Sequence, residues 1–183
     1  MPENRLWRET LRDFLRSVST EDDTGMVIRA HLYFEQLLGW GLEQKLDKPE
    51  AILGGQGMTY NQKLRLCYAL SVVDDECYGF LRALGKIRNS FGHDLGRRLT
   101  ENDIVTLVSP LRKELRNQFE VMQTGIQAEG VAMDFPRAKM MAVLMGMMPF
   151  MAFGFFEDKE HYVEEIVAFH QQLHEDWNAG RNI

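Results

Sequence analysis

Two cysteines in 183 residues, Cys67 and Cys77, are too few for a secreted disulfide framework or, by themselves, a four-ligand zinc site. The opening residues MPENRLWRETLRDFLRS lack an uninterrupted apolar core, so no secretory leader is expected. Basic residues are also in deficit. Lys and Arg total 21 against 27 Asp and Glu, giving a net charge of −6 and a pI near 5.4. That balance argues against a general duplex-DNA binder, whose affinity comes from neutralising phosphates with Lys and Arg. No P-loop, GxSxG elbow, CxxC pair or HExxH helix is present, and GGQG at 54–57 lacks the strand–helix setting of a nucleotide fingerprint. The apolar run Met140–Phe156 is interrupted by Pro149 and two glycines, and falls short of the ~20 residues a membrane span requires. What remains is ordinary globular composition, 45% hydrophobic and 26% charged, which suits one domain over residues 1–183 in the reduced cytoplasm.

The hydrophobic period is helical nearly end to end, which predicts an all-α single-domain bundle of about seven or eight helices. A first helix is expected from Pro2 to Ser17, followed by a loop and a long helix over 26–46. Ile28, Leu32, Phe34, Leu37, Leu38 and Leu42 should supply much of that second helix's buried face. The segment 47–59 carries Pro49 and three glycines and suggests a plain connection. Thr59 or Asn61 should cap a third helix ending near Val73. Asp74, Asp75 and Glu76 suit the first turn of a fourth, where the macrodipole favours acids. Its apolar stripe is Cys77, Phe80, Leu81, Leu84, Ile87 and Phe91, with Gly92 as the expected stop. Thr100 with Asp103 suggests a capped helix start, and Ser109–Pro110 another with Pro at N1. Met-rich C-terminal helices are expected over 136–178.

Three places could carry chemistry. In IRNSFGHD (87–94), Arg88 could hold a phosphate, His93 could move a proton, and Asn89 could orient the ring. Five positions on a helix turn through about 140°, so Arg88 and His93 can meet only if the helix ends near Gly92 or a second subunit completes the site. The same residues also suit an ordinary helix C-terminus. Around them, Arg82, Lys86, Arg88, Arg97 and Arg98 face the single acid Asp94. That local charge of +4 leaves −10 on the rest of a chain whose net is −6, a candidate anion site. Second, seven of the eleven methionines fall between 133 and 151, which suits either core or a homo-oligomer face. Third, His170 and His174 lie one helical turn apart, with His161 and Glu175 nearby, but nothing specifies a further ligand, so no metal and no cofactor is implied.

The succession ILGGQG, QKLRLCYALSVVDDECYGFL, KIRNSFGH and LTENDI, from Ile52 to Val108, resembles the MltR family of mannitol operon repressor-like proteins. A looser likeness extends over about 26–125. The RN-x-x-x-H element is similar to that of HEPN domains, and the resemblance implies a HEPN-like helical core. It further implies a regulator in transcriptional repression or, on the HEPN side, a metal-independent ribonuclease joining Arg88, Asn89 and His93 across a dimer. No basic second helix of a helix-turn-helix accompanies the likeness, so repression through a protein partner is expected over direct reading of duplex DNA. RNA or a nucleotide remains a possible ligand of the same Arg/Asn/His site. A membrane partner is not expected.

Overall fold

The protein is described here by a computed structural model covering residues 17–18, 21–54, 57–94, 96–128 and 134–154. Seven helices run through these residues, and none of them is in a strand. They are α1 (Asp23–Lys45), α2 (Glu50–Leu53), α3 (Tyr60–Ala69), α4 (Asp75–His93), α5 (Glu101–Val108), α6 (Lys113–Ala128) and α7 (Phe135–Gly154). The molecule is an all-α bundle, as the helical period predicts. Of the helix expected at the start of the chain only Ser17 and Val18 are described, both helical, with Val18 buried. The part of the expected C-terminal helices beyond 154 lies outside the described residues, and with it His161, His170, His174 and Glu175.

Short polar side chains set the helix starts. Asp22 Oδ1 accepts from Gly25 N at 2.8 Å to open α1, and Asp74 Oδ1 accepts from Cys77 N at 2.8 Å to open α4. Thr59 with Gln62, and Thr100 with Asp103, form complete capping boxes at α3 and α5. The ends depart more from expectation. Helix α3 stops at Ala69, short of Val73, because Ser71 turns the chain at φ 55° and Val72 N bonds back to Cys67 O at 2.8 Å. Gly92 does not stop α4, which continues through His93 to an extended Asp94. Ser109 and Pro110 form a turn, and the next helix begins at Lys113. The connection 47–59 contains the one-turn helix α2.

Helices α1, α3 and α4 pack on one another, and α7 lies along α6 while also touching α1 and α5. Phe34, Phe80, Phe91, Leu38, Leu81 and Leu84 are fully buried at the centre, with the Phe34 and Phe80 rings edge to face at 5.4 Å. All six residues expected on the α4 stripe are buried. On α1, Phe34, Leu37, Leu38 and Leu42 are buried as expected, whereas Ile28 is only half-buried and Leu32 is 55% exposed. The methionine stretch belongs to the core, with Met140, Met141, Met147, Met148 and Met151 all buried within the chain. Much of its apolar surface is therefore used within the chain, while Met145 and Phe150 are only partly covered. Gly146 allows the approach of α6, since a side chain at that position would overlap the Phe119 ring. No helix among the described residues is long and apolar enough to cross a membrane.

One buried carboxylate ties the ends of this arrangement together. Asp23, 3% exposed, accepts from Leu99 N at 2.9 Å through Oδ2 and from Arg137 Nη1 at 2.9 Å through Oδ1. Arg137 Nη2 in turn donates to Glu21 O at 2.6 Å. The start of α1, the strap before α5 and the first turn of α7 thus share one charge-assisted junction. Asp23→Ala should cost about 3 kcal/mol or more in urea unfolding, because it strands the Arg137 guanidinium and the Leu99 N–H. A loss below about 1 kcal/mol would show that the junction carries little weight. Met147→Asp should unfold the chain rather than shift its oligomeric state, since it forces a carboxylate into fully buried space.

Candidate functional site

The rotation of α4 is set by its apolar stripe, and that decides where the motif residues point. Arg82, Lys86, Asn89 and His93 follow one another at spacings of four, three and four, so they share the face opposite the core. All four are exposed, and they form a ridge about 16 Å long. Arg88 belongs elsewhere. It lies three, four and seven residues after Gly85, Leu84 and Leu81, on the side turned toward α1 and α3, where the end of the helix leaves it exposed. Because α4 is helical through His93, Arg88 and His93 are separated by about 140° around it. The helix brings Asn89 and His93 together and keeps Arg88 apart, although Arg88 Nη1 reaches Asn89 Oδ1 at 3.2 Å.

The five expected anion-binding cations differ in what they contact. Arg82 and Lys86 stand on the ridge, and Arg98 is exposed in the strap that follows. None of the three has an ion-pair partner among the described residues. Arg97 is committed to structure. Its guanidinium is paired with the buried carboxylate of Asp103 and sits 5.1 Å from the centre of the Phe91 ring. Its charge therefore serves the capping box of α5, because Asp103 also accepts from Thr100 N at 3.0 Å.

Arg88 looks instead onto a cluster that the sequence did not single out. His31 on α1 is buried, and its ring lies 4.0 Å from the Tyr60 ring, centre to centre. Tyr60 is fixed in turn: its hydroxyl donates to Leu81 O at 2.9 Å, and its ring edge passes close over Gly85. Beside them Lys63 Nζ pairs with Glu35 Oε1 at 2.9 Å. Burial lowers the pKa of His31 from its ordinary value, the Arg88 charge lowers it further, and Glu35 opposes both. Burial, assisted by Glu35, raises that of the Tyr60 phenol. The neutral forms of both rings are favoured, so the cluster is a packed joint with one charged edge. The only sequence signal for it is a His four residues before Glu35 on an otherwise apolar helix face, which suits a core histidine equally well.

Both cysteines are buried and reduced; burial pushes the Cys67 thiol up to about 12, and the Cys77 thiol rises as well. Neither is disposed to act as a nucleophile. No group of three or more His, Cys, Asp or Glu among the described residues could hold a metal ion. No family model, curated protein or solved structure matches this chain.

The lowered His31 pKa has a definite consequence for stability. On acidification the unfolded chain takes up this proton near pH 6.5, before the folded one does. The stability present above that pH is therefore lost as pH falls from about 6.5 toward the lower folded value. Urea titrations between pH 7.5 and 5.5 should show this decline in the wild type, and a smaller one in a folded His31→Phe variant. Identical slopes in the two proteins would mean that His31 titrates freely.

Proposed function

We propose that this protein is a cytoplasmic, non-enzymatic regulator resembling the mannitol operon repressor-like proteins, acting through contacts with another protein. The observation that carries this reading is the unbroken course of α4 through His93. General acid–base chemistry on a phosphodiester needs the proton-transfer group and the anion clamp at one reacting phosphate. Here the clamp, Arg88, faces α1 and α3, while His93 stands on the outer ridge with Asn89, Lys86 and Arg82. What the ridge offers instead is exposed positive charge without ion-pair partners among the described residues, on an acidic chain: a recognition surface rather than a reaction centre.

A second reading keeps a specific observation in its favour. Arg88, Asn89 and His93 are all exposed at the same end of one helix. A second copy could therefore approach both, as the HEPN resemblance implies, to make a metal-independent ribonuclease. The same residues could also bind a nucleotide without cleaving it. The net charge of −6 and the absence of a groove-entering basic helix among the described residues speak against unaided recognition of an operator duplex.

Incubating the purified wild type with single-stranded RNA in the presence of a chelator separates these readings. The regulator should leave the RNA intact, and His93→Ala should change unfolding by no more than about 1 kcal/mol, the worth of a helix-end side chain. Cleavage that persists without metal, and that falls ~10²-fold or more in a folded His93→Ala variant, would replace the regulator by the nuclease.

A further inference from the structure

The outer face of α4 carries more than the motif. Asp75 and Tyr78 precede Arg82 at spacings of three and four, so the face runs Asp75, Tyr78, Arg82, Lys86, Asn89, His93. Tyr78 is stacked on Tyr68 of α3, with ring centres 4.3 Å apart and an interplanar angle of 24°. The Tyr68 hydroxyl donates to Asp75 Oδ1 at 2.6 Å, which holds a ring that is 42% exposed in a fixed pose. An aromatic platform with a carboxylate at its edge therefore leads into a ridge whose cations, Arg82 and Lys86, have no ion-pair partner among the described residues. We infer that this face is a docking surface for an acidic amphipathic helix of a partner protein. The inference rests on the regulator reading and supplies the chemistry of its partner.

Three features select that occupant. Arg82 and Lys86, with the His93 ring beyond them, recur at the period of a helix, so a partner helix with carboxylates at the same spacing of four and seven meets two charges and an imidazole N–H rise for rise. The fixed tyrosine pair adds an amphipathic ring surface that costs little entropy on binding, suited to an apolar side chain of the same partner helix. The polarity of the face, acid at the Asp75 end and basic toward His93, sets the direction in which such a helix lies. A polynucleotide is uniformly negative and would meet the Asp75 carboxylate as it reached the platform. A second copy of α4 is disfavoured too. Antiparallel pairing that matched Asp75 with His93 would set the Arg82 and Lys86 charges of the two copies face to face.

The test uses a capped synthetic peptide of about 20 residues, long enough to be helical, with Glu at the matching spacing, a Leu to meet the tyrosines and a Lys to meet Asp75. Fluorescence anisotropy at about 0.15 M salt should show binding to the full chain. Arg82→Glu combined with Lys86→Glu should weaken it at least about tenfold, and a peptide with Lys in place of Glu should restore binding to that variant. Arg82→Gln combined with Lys86→Gln should give an intermediate loss, and serves alone should the reversal disturb the fold. Absence of binding, equal binding of a scrambled peptide, or undiminished binding by the folded variants would overturn the proposal. So would displacement of the peptide by a single-stranded oligouridylate at lower concentration, which would assign the ridge to nucleic acid. Peptide failure with intact RNA removes this occupant alone, whereas RNA cleavage removes the regulator reading itself.

Discussion

A helix that buries one apolar stripe cannot choose what it shows on the other side, and α4 is held by such a stripe. Cys77, Phe80, Leu81, Leu84, Ile87 and Phe91 are all within the core, at about 25 cal/mol for each Å² of apolar surface removed from water. Rotating the helix far enough to bring Arg88 beside His93's present direction would lift Phe91 and Leu84 into solvent and press Lys86 into the interior. The position of every motif residue follows from that one constraint. Arg88 is directed to the α1/α3 side, and Arg82, Lys86, Asn89 and His93 are displayed together.

The contacts around α4 reinforce its rotation. Tyr60 spans from α3 to the Leu81 carbonyl and lies over Gly85, where a larger residue would crowd its ring. His31 packs on the far side of that tyrosine, linking α1 to the same joint. At the end of the helix Phe91 lies under Arg97, whose pairing with Asp103 closes the first turn of α5. Asp23 then binds the strap at Leu99 and the first turn of α7 at Arg137. Polar groups are thus spent on fixing where elements meet, while apolar burial fixes how each is turned. Among the described residues, Arg82 and Lys86 on the ridge are cations that neither task consumes.

The starts of α3, α4 and α5 and the buried stripe of α4 were legible in the sequence because they depend on neighbours within a few residues, whereas the start expected at Pro110 lies at Lys113. Asp74 and Thr100 cap locally, and the stripe has the period of the helix itself. Helix ends were less legible. Gly92 is a strong stop by type, yet at its position the exposed side of the helix is open and the chain loses little by continuing to His93. Ser71 adopts a left-handed conformation that glycine or asparagine would have announced. Pro110 fits a turn as well as it fits N1 of a helix. The His31 joint was illegible for a different reason. Its partners Tyr60 and Arg88 come from other helices, and only tertiary packing brings them to α1. The methionines of α7 suited either core or interface, and Met140, Met141, Met147, Met148 and Met151 lie buried within the chain while Met145 is only partly covered.

The central claim is that α4 remains helical through His93 and so holds Arg88 and His93 on different sides. Backbone NMR of the full chain addresses this directly, through Cα secondary shifts and Hα–HN contacts between residues three apart over 86–94. The account predicts helical shifts and unbroken contacts through His93, with extended values beginning at Asp94. Loss of helical shifts at or before Gly92 would contradict it, because the chain could then fold His93 back toward Arg88.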